Sequence, residues 1–294
     1  MRTKLDYDSF FCYNHGMDYK VEKDKIVIND TRDFNIEHIL ECGQIFTYKK
    51  LGQDDYIVFS KDKTAHVYLK NQKYIIETNA PLYFVNFFDL NTDYLKIKGE
   101  LAKNDYIKNA VKFGYGIRIL KQDLLEVIVG FVISSNNNIE RIKKTMAKIR
   151  ECGQDKGEYH SFPTIKELEK ITLEQFKSFG CGYRASYLVK LINQIKDIDL
   201  KATENMETVV LKKWLLSLCG VGPKVADCIL LFGYHRCDSF PVDTWIEKVY
   251  FDIFKTKKSP QSMSKDLVEY FGDLSGYAQQ YLFFYKRSLN TELV

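Results

Sequence analysis

Leu218-Cys219-Gly220-Val221-Gly222-Pro223-Lys224-Val225-Ala226-Asp227-Cys228 is the stretch whose reading decides the fold. Upstream of it, Val209, Val210, Leu211, Trp214, Leu215 and Leu218 recur at helical spacing. Gly220 and Gly222 allow a tight reversal with backbone amides turned outward. Pro223 suits the first position of a new helix, where a missing N–H costs nothing. The stretch therefore reads as helix, glycine hairpin, helix. Free amides of Gly220, Val221 and Gly222 at a helix N-terminus suit a phosphate, because they combine donors with the positive end of the dipole. A cation in the first turn faces the positive end of that dipole, so a lysine at 224 is an odd choice for stability alone and points to an amine nucleophile. In isolation the same residues describe a glycine turn and a surface lysine.

Further along stands Phe240-Pro241-Val242-Asp243-Thr244-Trp245. Asp243 precedes an apolar-periodic segment, Ile246, Val249, Tyr250 and Ile253, and reads as a helix cap. On L-x-G-V-G-x-K-V-A-D-C followed by P-V-D, the chain resembles the helix-hairpin-helix DNA glycosylases with a Gly/Pro-rich loop and aspartate. The resemblance implies that Lys224 and Asp243 form the catalytic couple: an amine that attacks the sugar and a carboxylate that stabilises developing positive charge. Cys219 stands where many members have proline, and Trp245 where close relatives often have a phosphate-contacting histidine.

Three further groups resemble the 8-oxoguanine branch. Ser134-Ser135-Asn136-Asn137-Asn138-Ile139-Glu140-Arg141, with Tyr183 and Arg184, implies that Asn136, Arg141 and Arg184 meet the orphaned cytosine while Tyr183 wedges into the stack. Gln279 and Phe283, one helical turn apart, imply a reader and a stacking wall for the damaged base, with Cys228 as the opposite wall. Gly43 implies a backbone carbonyl that accepts the proton distinguishing 8-oxoguanine from guanine; by sequence alone it is a turn glycine. Read without the family, the asparagines are turn formers, Phe283 is core, and the cations of the 139–151 helix are a solvated face.

A chain of 294 residues, 45% hydrophobic and 14% aromatic, is globular rather than disordered. The net charge of +4 is mild; residues 1–110 are near neutral and the cation excess lies in 111–294, which permits a polyanion partner. Seven scattered cysteines without a C-x-x-C pair argue against a disulfide framework or tetracysteine zinc site. No cysteine follows Cys237, so the C-terminal iron–sulfur cluster of some superfamily members is not expected, and neither is a metal or other cofactor for the chemistry. Residues 1–6 lack the apolar core of a signal peptide, and no apolar run is long enough to span a bilayer. An intracellular protein located with the DNA is expected, without membrane association and acting as a monomer.

Four runs read as strands: 25–28, 56–59, 65–69 and 74–77, with a short helix over 34–42. From about residue 81 the pattern is helical, and the almost wholly apolar run 124–133 predicts a buried central helix. The expected fold is α+β, with an N-terminal antiparallel sheet domain over 1–111 and a two-lobed helical glycosylase core over 112–294. The expected activity is that of a bifunctional 8-oxoguanine DNA glycosylase/AP lyase on duplex DNA, with cytosine opposite the lesion. Two alternatives stay open here: a helix-hairpin-helix module that grips DNA without catalysis, and a related glycosylase for other damaged bases.

Overall fold

The β-branched and aromatic runs of the first third pair as a single antiparallel sheet in the computed structural model, which describes residues 10–11 and 16–291. Its strands are β1 (Phe10–Phe11), β2 (Tyr19–Val21), β3 (Lys25–Ile28), β4 (Tyr48–Gly52), β5 (Asp55–Ser60), β6 (Lys63–Lys70) and β7 (Lys73–Glu77). They lie in the order β1-β2-β3-β7-β6-β5-β4. The β6–β7 connection is a two-residue turn at Asn71 and Gln72, both with φ above 50°, which suits the right-handed twist of the flanking strands. The runs expected to be strands are strands. β4 was not foreseen, since Tyr-Lys-Lys-Leu-Gly at a sheet edge has little apolar alternation to show. Cys12 lies outside the described residues.

One face of the sheet is buried. Tyr56, Val58, Val67, Tyr74 and Ile76 pack on Ile36, Ile39, Phe84, Phe87 and Phe88 from the helices Ile36–Glu41 and Pro81–Phe87. From Tyr94 onward the helices share a second core, centred on Leu124–Ser134, whose residues from Val127 to Ile133 are all buried. Helix starts follow local chemistry. Asn35, Asp93, Asn104, Asp123 and Asn138 each cap with a side-chain oxygen, and Thr164 and Thr172 form capping boxes with Glu167 and Gln175. The helix Leu173–Phe176 is short because a π-type turn follows it, in which Gly180 takes φ 100°. No described helix is long and apolar enough to cross a membrane.

Two buried polar groups join sheet to helices. The Arg118 guanidinium is fully buried and donates to the carbonyls of Asp33, Phe88, Asp89 and Thr92 while lying 4.0 Å over the Tyr94 ring. Farther out, Glu126 accepts from the Lys61 amide in the β5–β6 turn and pairs with Arg150, which also donates to the Lys61 and His160 carbonyls. Burial pushes the Glu126 carboxyl up to about 7, against the pull of Arg150. Removing one member of such a pair strands the other charge in the interior. Glu126→Ala should therefore lower unfolding free energy by about 3–5 kcal/mol. The double change Glu126→Met, Arg150→Met should cost less than that, as read by urea denaturation; a double variant as unstable as the single one contradicts this account.

Candidate active site

The hairpin forms as the glycines require. The helix Thr208–Ser217 ends, Gly220 takes φ 85°, and the helix Pro223–Phe232 begins at Gly222. A Cβ on Gly220 would stand 3.0 Å from Tyr187 Cβ and 3.1 Å from Val132 Cγ1, so the residue is excluded from change by backbone and by space. At Gly222 nothing lies within 4 Å of such an atom, and that side of the hairpin is open. One expectation needs correction. The Val221 amide is not a free donor: it bonds the Leu218 carbonyl at 3.1 Å, closing the turn, and the Val221 side chain is buried. Among the described residues the Gly220 and Gly222 amides have no such partner.

Pro223–Phe232 buries every residue from Val225 onward. Phe232 stacks on Phe131 at 5.3 Å, and the half-buried Lys224 carries its Nζ 5.5 Å from the same Phe131 ring. Asp243 caps the helix Thr244–Phe254, accepting the Trp245 and Ile246 amides at 3.0 Å each through one oxygen, Oδ1. That leaves Oδ2 for other work. Burial raises the Asp243 carboxyl above its ordinary range, and the two amides together with the Lys224 charge pull it back.

Lys224 and Asp243 line two adjoining spaces. The first is a cleft of about 790 Å³ that also takes in Gly43, Phe131, Asn136 and Trp245. The second is a small cavity of about 50 Å³ bounded by Gly43, Cys228, Gln279, Gln280, Phe283 and Pro241, besides the couple itself. The residues expected around a base are thus together, but the cavity is closed to a purine. It has room for one or two waters. The Phe283 ring closes it, standing 3.1 Å from where a Cβ on Gly43 would be. Gln279 is buried, and its Oε1 has no hydrogen-bond partner among the described residues. A buried amide oxygen left unpaired is costly and points to a partner that arrives from outside. Cys228 forms a neutral wall, its thiol pushed up to about 11 by burial.

The Gly43 turn is held from both domains. Gln280 Nε2 donates to the Cys42 carbonyl at 2.7 Å and Arg287 donates to that of Glu41. Gln44 is fully buried, donating to the Ile39 and Arg118 carbonyls and accepting the Leu120 amide. Sequence reasoning missed Phe46, Phe131 and Arg287 as cleft residues. Only Arg287 carried a signal, since it lies four residues beyond Phe283 on the same helical face.

The expected opposite-base group gathers at the rim. Asn136 has φ 48° at the turn after Leu124–Ser134, and Arg141 is exposed in the first turn of Ile139–Arg150. Tyr183 is 54% exposed, with its hydroxyl toward the Ser135 carbonyl. Arg184 is buried instead: its guanidinium donates to the Ser135, Asn136 and Cys181 carbonyls and lies 4.4 Å from the Tyr183 ring. It ties the Ser135–Asn136 turn to Tyr183 in this structure. Trp245 brings a cation near, for Lys248 Nζ lies 4.2 Å over its ring. A groove of about 600 Å³ reaches Lys224 from the other side of the hairpin, along Lys212, which pairs with Asp227 at 2.5 Å.

The geometry yields a stability test for Asp243. A carboxyl raised by burial stabilises the fold below the unfolded value, and that contribution is lost as pH rises through the folded one. Asparagine keeps the cap without the charge. Asp243→Asn should melt no lower than the wild type at about pH 7, its advantage shrinking towards about pH 4. A large drop in Tm at neutral pH would show that the charge itself holds the fold.

Comparison with known proteins agrees with this site. Residues 26–128 match the 8-oxoguanine DNA glycosylase N-terminal domain, and residues 129–272 match the HhH-GPD superfamily base excision DNA repair protein. The chain is 33% identical to the N-glycosylase/DNA lyase OGG1 of Arabidopsis thaliana over 65% of its own length and 60% of that protein's. It is 30% identical to the N-glycosylase/DNA lyase of Saccharomyces cerevisiae, covering 79% of this chain and 71% of the yeast one. The Clostridium acetobutylicum 8-oxoguanine glycosylase/lyase, solved with duplex DNA containing cytosine opposite 8-oxoguanine, superposes with a TM-score of 0.87 at 34% identity, covering 94% of this chain and 99% of that one. With its α+β architecture, hairpin and cleft, the chain belongs to the 8-oxoguanine DNA glycosylase/AP lyase family of the HhH-GPD superfamily.

Proposed function

We propose that this protein excises 8-oxoguanine from duplex DNA, with cytosine opposite, and then cuts the strand by β-elimination. One observation carries the reading: Lys224, Asp243 and the unpartnered Gln279 Oε1 border a single cavity. The Lys224 amine, as the free base, attacks the anomeric carbon. The new C–N bond forms as the glycosidic bond breaks, and the departing base takes the electron pair and a proton. Asp243 Oδ2 faces the positive charge that develops on the sugar, while Oδ1 stays fixed by two amides. The amine nitrogen then loses a proton and the C1′–O4′ bond breaks, O4′ taking up a proton, so that the opened sugar is held as an imine. The imine makes the C2′ hydrogen acidic, its loss expels the 3′ phosphate, and water releases Lys224.

The base enters only if Phe283 moves off Gly43, after which Gln279 supplies an acceptor to the Watson–Crick edge and Cys228 the second wall. The Gly43 carbonyl would take the extra N7 proton, a discrimination in which the unmatched base leaves acceptors facing each other. Asn136, Arg141, Tyr183 and Arg184 would fill the space on the cytosine side, Arg184 exchanging carbonyl partners for the base; the place of Asn136 in the cleft and the Arg184 bonds to the Ser135 and Asn136 carbonyls support this. The Gly220 and Gly222 amides suit a backbone phosphate.

Borohydride trapping on a duplex with 8-oxoguanine opposite each of the four bases is the test. Wild type should give a covalent adduct, strongest opposite cytosine, and Lys224→Gln none while still binding. Asp243→Asn should slow base release about 10²–10³-fold. Gln279→Ala should reduce selection among lesions and leave DNA affinity within about threefold. Tight binding by wild type with no adduct and no released base would leave a DNA-gripping module; preferential release of another damaged base would move the substrate.

A further inference from the structure

The helix Ile139–Arg150 leaves the rim of the cleft with three cations that the site does not use fully. Arg141, Lys144 and Lys148 are exposed and lie at i, i+3 and i+7, hence on one face. Among the described residues none of their side chains has an ion-pair or hydrogen-bond partner. Lys143 behaves differently: it pairs with Glu140 at 3.4 Å and lies 4.2 Å over the Tyr48 ring. Like charges three and four residues apart oppose the helix, and Arg141 and Lys144 sit towards the N-terminal end that a dipole reserves for anions.

The direction of the stripe is set by its neighbours. Thr145, beside it on the helical wheel, touches the turn that carries Tyr183, with Oγ1 3.3 Å from the Cβ position at Gly180. The stripe therefore runs on the side of Tyr183 and Arg184, starting at Ser135–Asn136 and moving away from the cavity. From Arg141 to Lys148 it covers about 10 Å. A single DNA strand presents a phosphate roughly every 3.4 Å along the axis, so the row matches about three consecutive phosphates.

We infer that Lys144 and Lys148, continuing the row that starts with Arg141 at the cytosine side, form a phosphate track for the undamaged strand and grip the flank beyond the base opposite the lesion. This rests on the DNA-glycosylase reading above. The track adds sequence-independent affinity and register, and takes no part in the chemistry.

The test replaces Lys144 and Lys148 together by glutamine, which keeps helix propensity. Lys70→Gln with Lys73→Gln, at the exposed β6–β7 turn, is the control for the same change in net charge. On a duplex extending well beyond the site on both sides, the slope of log K against log salt should become shallower by about 1.8 for the track variant and stay unchanged for the control. Between about 50 and 200 mM salt the wild type then loses about twelve times more affinity than the track variant. The single-turnover rate of base release at saturating enzyme should not change. Shortening the undamaged strand to about two nucleotides past the cytosine on one side, but not on the other, should abolish the difference between wild type and variant. An unchanged slope, an equal effect in the control, or a difference indifferent to both truncations overturns the track. Slopes measured on undamaged duplex read the track even if no lesion is excised, so its failure is separable from failure of the proposed chemistry.

Discussion

The site depends on the burial of one helix. Pro223–Phe232 is enclosed along its length by Leu124–Ser134 and its neighbours, and only its first turn reaches the cleft. Lys224 thus stands at the one point where a buried element meets solvent. Its amine lies over the Phe131 ring of the Phe131–Phe232 stack, at the edge of the cleft. Gly220 makes this possible, since no other residue takes φ 85° while lying against both Val132 and Tyr187. A hairpin resting on the surface would let the lysine wander, and an amine that must reach one carbon gains most from being held.

The cavity beside Lys224 belongs to two domains. Its floor comes from the hairpin helix and the C-terminal helix Ser275–Thr291, while its lid is the Gly43 turn of the sheet domain. Gln280 and Arg287 bond carbonyls on one side of that turn, and Gln44, locked to Arg118 and Leu120, secures the other. Side chains bond backbone groups throughout, so the turn's position is set by directional bonds as well as by apolar contact. The Phe283 ring closes the pocket against Gly43.

Electrostatics at the couple combine two duties in one carboxylate. Asp243 ends the extended segment that begins at Phe240 and starts a helix, and the bonds that cap the helix also aim its second oxygen. Burial works against its charge, while Lys224 and the helix amides restore it. Burial keeps the neighbouring Cys228 thiol neutral, so the wall it forms carries no charge.

Much of this was legible from the chain alone, for reasons that are local. Glycines at a reversal, proline at a first turn, an aspartate before an apolar period and two-residue alternation in the strands act over a few residues, and each is where the pattern put it. The edge strand Tyr48–Gly52 escaped because it carries no strong local period. The Val221 amide was misjudged because the sequence shows a donor but not the carbonyl it turns to. What tertiary structure alone decided is which distant residues meet. The spare Gln279 oxygen, the Gly43 lid and the Arg184 bonds to the Ser135–Asn136 turn join segments up to 236 residues apart along the chain, which no local rule links. Sequence period sets which face a residue shows to its own element; only the packing of elements decides what that face finds.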